Sequence, residues 1–89
     1  MVSDEDIRYL QALLDSCSAP PWRAVIEGRD QLLGGESFIQ TGASGELGPD
    51  VYVHAGSFEA STVVLDLLST VRNLLPEILE EVREGRMTK

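Results

Sequence analysis

The sequence is poor in the residues from which most chemical sites are built. Its 89 residues include one cysteine, Cys17, and one histidine, His54. A lone cysteine excludes an internal disulfide and fits a reducing compartment. A single His and a single Cys, far apart, do not supply the clustered ligands of a zinc-type site. No lysine occurs before Lys89, so the glycine-rich run from Gly42 to Gly48 lacks the Gly-Lys-Ser/Thr ending of a phosphate-binding loop. No apolar run approaches the roughly 18 residues that a membrane span needs. The start, Met1-Val2-Ser3-Asp4-Glu5-Asp6, has no apolar core of the kind a secretory leader carries. Cations are scarce: 7 Lys and Arg against 15 Asp and Glu, for a formal charge of −8. Nucleic-acid binders neutralise phosphates with Lys and Arg, so this balance disfavours a phosphate-backbone partner. The expectation is a cytoplasmic protein with no transmembrane segment, no nucleic-acid or membrane partner, and no metal or cofactor.

What is present is a helix pattern at each end and strand-like segments between them. Ser3 with Asp6 forms a capping-box pattern, with Asp in place of the usual Glu. Ile7, Leu10, Leu13, Leu14 and Cys17 recur at helical spacing, which predicts a helix from about Asp4 to Ser16. Pro20 and Pro21 stop it. Trp22 to Glu27 alternates as a strand, Gly28-Arg29-Asp30 is a turn, and Glu36 to Thr41 is a second strand. Gln31 to Gly35 has no assignment. Gly42 to Asp50 is a loop by composition, and Val51 to Ala55 is a short third strand. Sequential strands with short connections make an antiparallel meander.

Ser57 can cap a last helix. Its apolar positions are dense: Val63, Val64, Leu65, Leu67, Leu68, Val71, Leu74 and Leu75. Its polar stripe is narrow: Thr62, Asp66, Ser69 and Asn73. Most of this helix is therefore expected to be buried, and Pro76 to kink or break it. The predicted fold is a single α+β domain over residues 1–89: N-terminal helix, three-stranded antiparallel meander, long C-terminal helix. The last helix carries more apolar surface than three strands can cover. The excess must meet the first helix, the segment after Pro76, or a second subunit in a homodimer.

Two motifs flank the strands. Ser18-Ala19-Pro20-Pro21-Trp22 follows a Leu-Leu helix, and Arg72-Asn73-Leu74-Leu75-Pro76 precedes an amphipathic one. At these positions the chain resembles the Ead-like proteins of phages and prophages. Their pattern is a Thr-Pro-Gly-Pro-Trp corner, a variable strand-rich middle, then Ala-Arg-Asn, two residues, Pro, and a Leu-rich helix. Trp22 and Arg72-Asn73 stand in register. Ala19 and Pro20 depart from the corner, and Leu67-Leu68 stands where the pattern has Phe-Ile. The match covers about half the chain. The resemblance implies an accessory phage or bacterial protein of undefined biochemistry.

The remaining candidates weigh toward structure or contact, not chemistry. Trp22 reads as a core plug at the helix-to-sheet corner, and Arg72 and Asn73 as polar side chains holding the helix break. Ser57 lies three residues after His54 and Asp50 four before it, but no Gly-x-Ser-x-Gly elbow surrounds Ser57; His54 is expected to face solvent and the protein to be no enzyme. The leading expectation is a non-enzymatic protein that binds another protein, one with a basic surface, as an inhibitor or immunity protein would. Its expected contact residues are Glu27, Arg29 and Asp30 at the first turn and Glu46 and Asp50 in the glycine-rich loop. The alternative is a self-assembling homodimer with no other ligand. A DNA mimic would need its acids aligned on one face, and they fall into separate groups.

Overall fold

The computed structural model describes residues 2–31 and 36–87. Leu32 to Gly35, the greater part of the unassigned segment, lies outside the described residues. Helix α1 spans Asp4–Ser16, strand β1 Trp22–Val25, strand β2 Phe38–Thr41, and helix α2 Phe58–Met87. The class is α+β, with two helices and a two-stranded antiparallel sheet among the described residues.

Helix α1 begins where the sequence says it should. The Ser3 hydroxyl accepts the Asp6 amide at 3.1 Å, and the Asp6 carboxylate accepts the Ser3 amide at 3.0 Å. Two of the helix's free N-terminal donors are thereby satisfied reciprocally. Asp6 is held below the usual carboxylate range, chiefly by that bond from the Ser3 amide. Ile7 and Leu14 are buried on its inner face.

The sheet is smaller than expected. β1 pairs antiparallel with β2, with Trp22 opposite Thr41 and Ala24 opposite Ile39. β1 ends at Val25 because the chain then curls about Ile26. The Ile26 carbonyl accepts the amides of Arg29 and Asp30, and the Ile26 amide donates to the Asp30 carboxylate at 2.9 Å. Val25 and Ile26 are consecutively buried, so the alternation expected through Glu27 stops there. The expected third strand contributes a single bridge. The amides of Ile39 and Val51 donate to each other's carbonyls at 2.8 and 2.9 Å. Beyond it the Tyr52 ring lies 5.6 Å from that of Phe38, and the chain turns away toward α2.

Helix α2 is continuous for 30 residues and contains Pro76 in its interior. The break considered at Pro76 does not occur. Proline still deprives the Arg72 carbonyl of its partner four residues on, but packing on both sides of Pro76 carries the helix through. Ser57 caps its start as expected, its hydroxyl accepting the Ala60 amide at 3.1 Å. Two apolar clusters line α2 in succession. Ala24, Ile26 and Ile39 of the sheet region enclose Leu65, with Trp22, Val51 and Val53 packed around them. Ile7 and Leu14 of α1 meet Leu79, flanked by Leu10, Leu75 and Val82. Among the described helices none is long and apolar enough to cross a membrane.

Candidate functional site

The side of α2 that faces the rest of the molecule is not the one its sequence suggests. Leu65 is fully buried, but its neighbours on the inner side are largely polar: Ser69 and Arg72 are buried, and Asp66 and Asn73 bond to the sheet region. The narrow polar stripe thus lies partly on the side packed against the rest of the molecule. The apolar residues faced outward instead. Val63, Leu67, Val71, Leu74 and Ile78 are each between 42% and 66% exposed. The expectation that most of α2 is buried is corrected accordingly. A two-stranded sheet covers one side of a helix, and Asp66, Arg72 and Asn73 are each anchored to it or to the segments that flank it, whereas the buried Ser69 hydroxyl has no hydrogen-bond partner among the described residues.

Those anchors set the rotation of α2. The Trp22 amide donates to the Asn73 side-chain carbonyl at 2.8 Å, and the Asn73 amide group donates to the Trp22 carbonyl, also at 2.8 Å. Arg72 donates to the Ser18 carbonyl at 3.2 Å, and its guanidinium lies 5.9 Å from the Trp22 ring centroid. The Trp22 indole N–H donates to the same Ser18 carbonyl at 3.0 Å. The two sequence motifs therefore meet in space. Arg72 and Asn73 hold the Pro-Pro-Trp corner and not a helix break, which corrects their expected role. Trp22 is half-buried against the sheet cluster, near the plug role expected of it.

A second anchor lies nearly two turns earlier. Arg29 donates to both oxygens of Asp66, at 2.9 and 3.0 Å, and to Asp30 at 2.9 Å. These bonds hold Asp66 below the ordinary carboxylate range. Asp30 is lowered too, first by the Ile26 amide that it accepts and then by Arg29. Arg29 itself is raised further above neutrality, chiefly by Asp66. Of the residues expected to contact a partner, Arg29 and Asp30 are thus engaged within the protein, tying the first turn to α2. Glu27 is exposed beside a cleft of about 210 Å³ that also involves Glu36, His54 and the start of α2. Glu46 and Asp50 are exposed in the loop after β2. That loop closes on itself: the Gly48 amide donates to the Thr41 carbonyl at 2.9 Å, and the buried Thr41 hydroxyl donates to the Pro49 carbonyl at 2.8 Å.

The chemistry available elsewhere is limited. His54 is exposed, 3.8 Å from the Glu36 carboxylate, and the Ser57 hydroxyl is committed to capping α2. Among the described residues no group of three or more His, Cys, Asp or Glu side chains is placed to hold a metal ion. Between α1 and the end of α2 lies a cleft of about 260 Å³ with Ile7 and the arginines Arg8, Arg83 and Arg86 on its walls. Arg83 bonds to Gln11, and Arg86 to Asp4 and the Val2 carbonyl, so two of the three already serve helix–helix packing.

The outward face of α2 is the most extensive feature without an internal role. The half-buried Val64 and the exposed Leu67, Val71, Leu74 and Ile78 follow alternating spacings of three and four, the pattern that aligns side chains along one helix seam. At 1.5 Å per residue the stretch from Val63 to Ile78 is about 22 Å long. Along one edge run Glu59, Glu77, Glu81 and Glu84, all exposed, and none forms an ion pair among the described residues. That spacing is legible in the sequence, but apolar density alone predicts burial, and the structure turns these residues outward. Comparison with known proteins finds no matching family model, no matching curated protein and no matching solved structure.

Proposed function

We propose that this protein works by binding another protein, and that the outward face of α2 is where the partner docks. One observation carries the reading: five large apolar side chains, Val63, Leu67, Val71, Leu74 and Ile78, stand exposed on one face of a rigidly anchored helix. Contiguous exposed apolar surface of this kind marks interaction sites on small proteins. The −8 charge and the solvent-facing acids Glu27, Glu46 and Asp50 favour a basic partner and speed its approach. The setting proposed is cytoplasmic, as a non-enzymatic inhibitor or immunity-like accessory protein of phage or bacterial origin, in keeping with the resemblance at the Pro-Pro-Trp and Arg-Asn motifs. No cofactor, metal or nucleic acid enters the proposal.

The test is affinity capture from a bacterial lysate with the parent protein and with Leu67→Asp and Leu74→Asp side by side, at low and moderate salt. A stoichiometric protein held by the parent and released by both variants supports the reading. Partners retained equally by the variants would remove α2 from it. The same face supports a second reading, a homodimer with no other ligand. Sedimentation equilibrium decides that reading, through a dimer that forms in the parent and is lost in Leu74→Asp.

A further inference from the structure

The shape and charge of the α2 face narrow what can occupy it, and we infer that the occupant is an amphipathic α-helix of a partner protein with basic residues along one edge. This rests on the protein-binding reading above. The surface is a continuous strip one helix face wide, not a cup for a loop or an exposed strand edge for β-pairing. Knobs at spacings of three and four, from Val64 through Leu67, Val71 and Leu74 to Ile78, make the holes into which a second helix inserts its own side chains. The strip's length of about 22 Å matches a partner helix of about 15 residues.

Charge selects among helices. Glu77 stands beside the C-terminal end of the strip, Glu81 and Glu84 follow at spacings of four and three over the next two turns, and Glu59 lies about one turn before Val63, so a partner helix a turn or two longer than the strip reaches the acidic end. All four carboxylates are exposed and lack an ion-pair partner among the described residues. Flanking charges of this kind set partner choice and orientation in paired helices. Their complement is a row of Lys or Arg on the incoming helix.

A second copy of the chain is the poorer occupant. Each copy brings a charge of −8. An antiparallel pair centred on Val71 sets Glu59 of one copy against the Glu81 and Glu84 border of the other. A parallel pair sets the glutamates against the uncharged border of Leu68 and Leu75. Neither arrangement neutralises the acidic edge. An anionic membrane surface is disfavoured for the same reason, because helices that lie in that interface carry Lys and Arg on their polar side.

The experiment uses three labelled synthetic helical peptides of about 20 residues: Leu at the seam positions with Lys borders, the same seam with Glu borders, and a Lys peptide with its Leu positions scrambled. Binding to the full chain is read by fluorescence anisotropy at two salt concentrations. The Lys-bordered peptide is expected to bind. Its Kd should rise at least tenfold with Leu74→Asp, and at least tenfold with the triple variant Glu77→Gln, Glu81→Gln, Glu84→Gln, whose folding circular dichroism verifies. Equal binding of the Glu-bordered peptide, or of the scrambled one, overturns the inference, as does no binding of the Lys-bordered peptide. A dimer of the parent protein lost with Leu74→Asp also overturns it. If a captured lysate partner depends on Leu74 but is not displaced by the Lys-bordered peptide, protein binding stands and the basic helix falls.

Discussion

Asn73 and Trp22, 51 residues apart in the chain, exchange two hydrogen bonds of 2.8 Å. The side chain of one helical residue thus completes the backbone of the first residue of β1, much as a neighbouring strand would. Asn73→Ala leaves both Trp22 backbone groups to solvent or to nothing, and a loss of about 1–3 kcal/mol in unfolding free energy is expected. Asn73→Asp keeps the acceptor and loses the donor, so it should fall between. Urea unfolding followed by Trp22 fluorescence measures both. A change under about 0.5 kcal/mol for Asn73→Ala, the range of ordinary surface substitutions, would mean the clasp contributes nothing.

Leu65 and Leu74 lie on opposite sides of the same helix and should respond oppositely. Leu65 is fully buried, so Leu65→Ala is expected to cost about 2–5 kcal/mol. Leu74 is about half exposed, and Leu74→Asp should change stability by no more than about 1 kcal/mol while abolishing capture of the partner. Thermal or urea unfolding of the two variants tests the assigned rotation of α2. Comparable destabilisation by both would place Leu74 in the core and refute the outward face.

Acid should loosen the tie between the first turn and α2. Asp66 and Asp30 are lowered by Arg29 and the Ile26 amide, and Asp6 by the Ser3 amide. A carboxylate whose folded pKa lies below its unfolded value stabilises the fold above the unfolded value, about pH 4. That contribution disappears as pH falls through the folded value. Protonation also relieves the repulsion of a −8 chain, so the informative quantity is the difference between parent and variant. Asp66→Asn should lower Tm at pH 7 and show a shallower fall between about pH 5 and pH 2 than the parent. Parallel acid limbs for the two proteins would show that the Arg29–Asp66 pair is energetically silent.

Gly42 closes the loop after β2 with a φ of +89°. A Cβ there would meet the Glu46 carbonyl oxygen at 2.5 Å. Gly42→Ala therefore combines a left-handed backbone with a collision against main chain, and a destabilisation of about 1–3 kcal/mol is expected by chemical denaturation. A neutral result would show that the loop rearranges freely and does not pin Thr41.

Much of the fold was legible in the residues. The Ser3–Asp6 box, the Pro20-Pro21 stop, the turn at Gly28-Arg29-Asp30 and the Ser57 cap are local signals, and each sits where the sequence places it. The extent of the sheet was less legible. Whether Val51 to Ala55 forms a strand depends on how far β2 offers it a free edge, and among the described residues that edge pairs with this segment at Ile39 alone. The direction in which α2 faces was least legible. Apolar density along Leu67, Val71 and Leu74 points inward by hydrophobicity alone. The outcome turns on Asn73 finding the Trp22 backbone and Asp66 finding Arg29, pairings 51 and 37 residues apart in the chain that no local pattern announces. The same long separation hid the engagement of Arg29 and Asp30, which as isolated charged turn residues look free to meet a partner.

The two apolar clusters along α2 share no side chain: one centres on Leu65, the other on Leu79. The helix between them is the beam that makes the two ends of an elongated molecule, 52 Å along its longest axis, answer to one another. Four of the five outward apolar residues, from Leu67 to Ile78, lie along that beam. A partner seated there would splint the span joining the two halves, so occupancy would slow hydrogen exchange in β1 and in α1 together, although it touches neither.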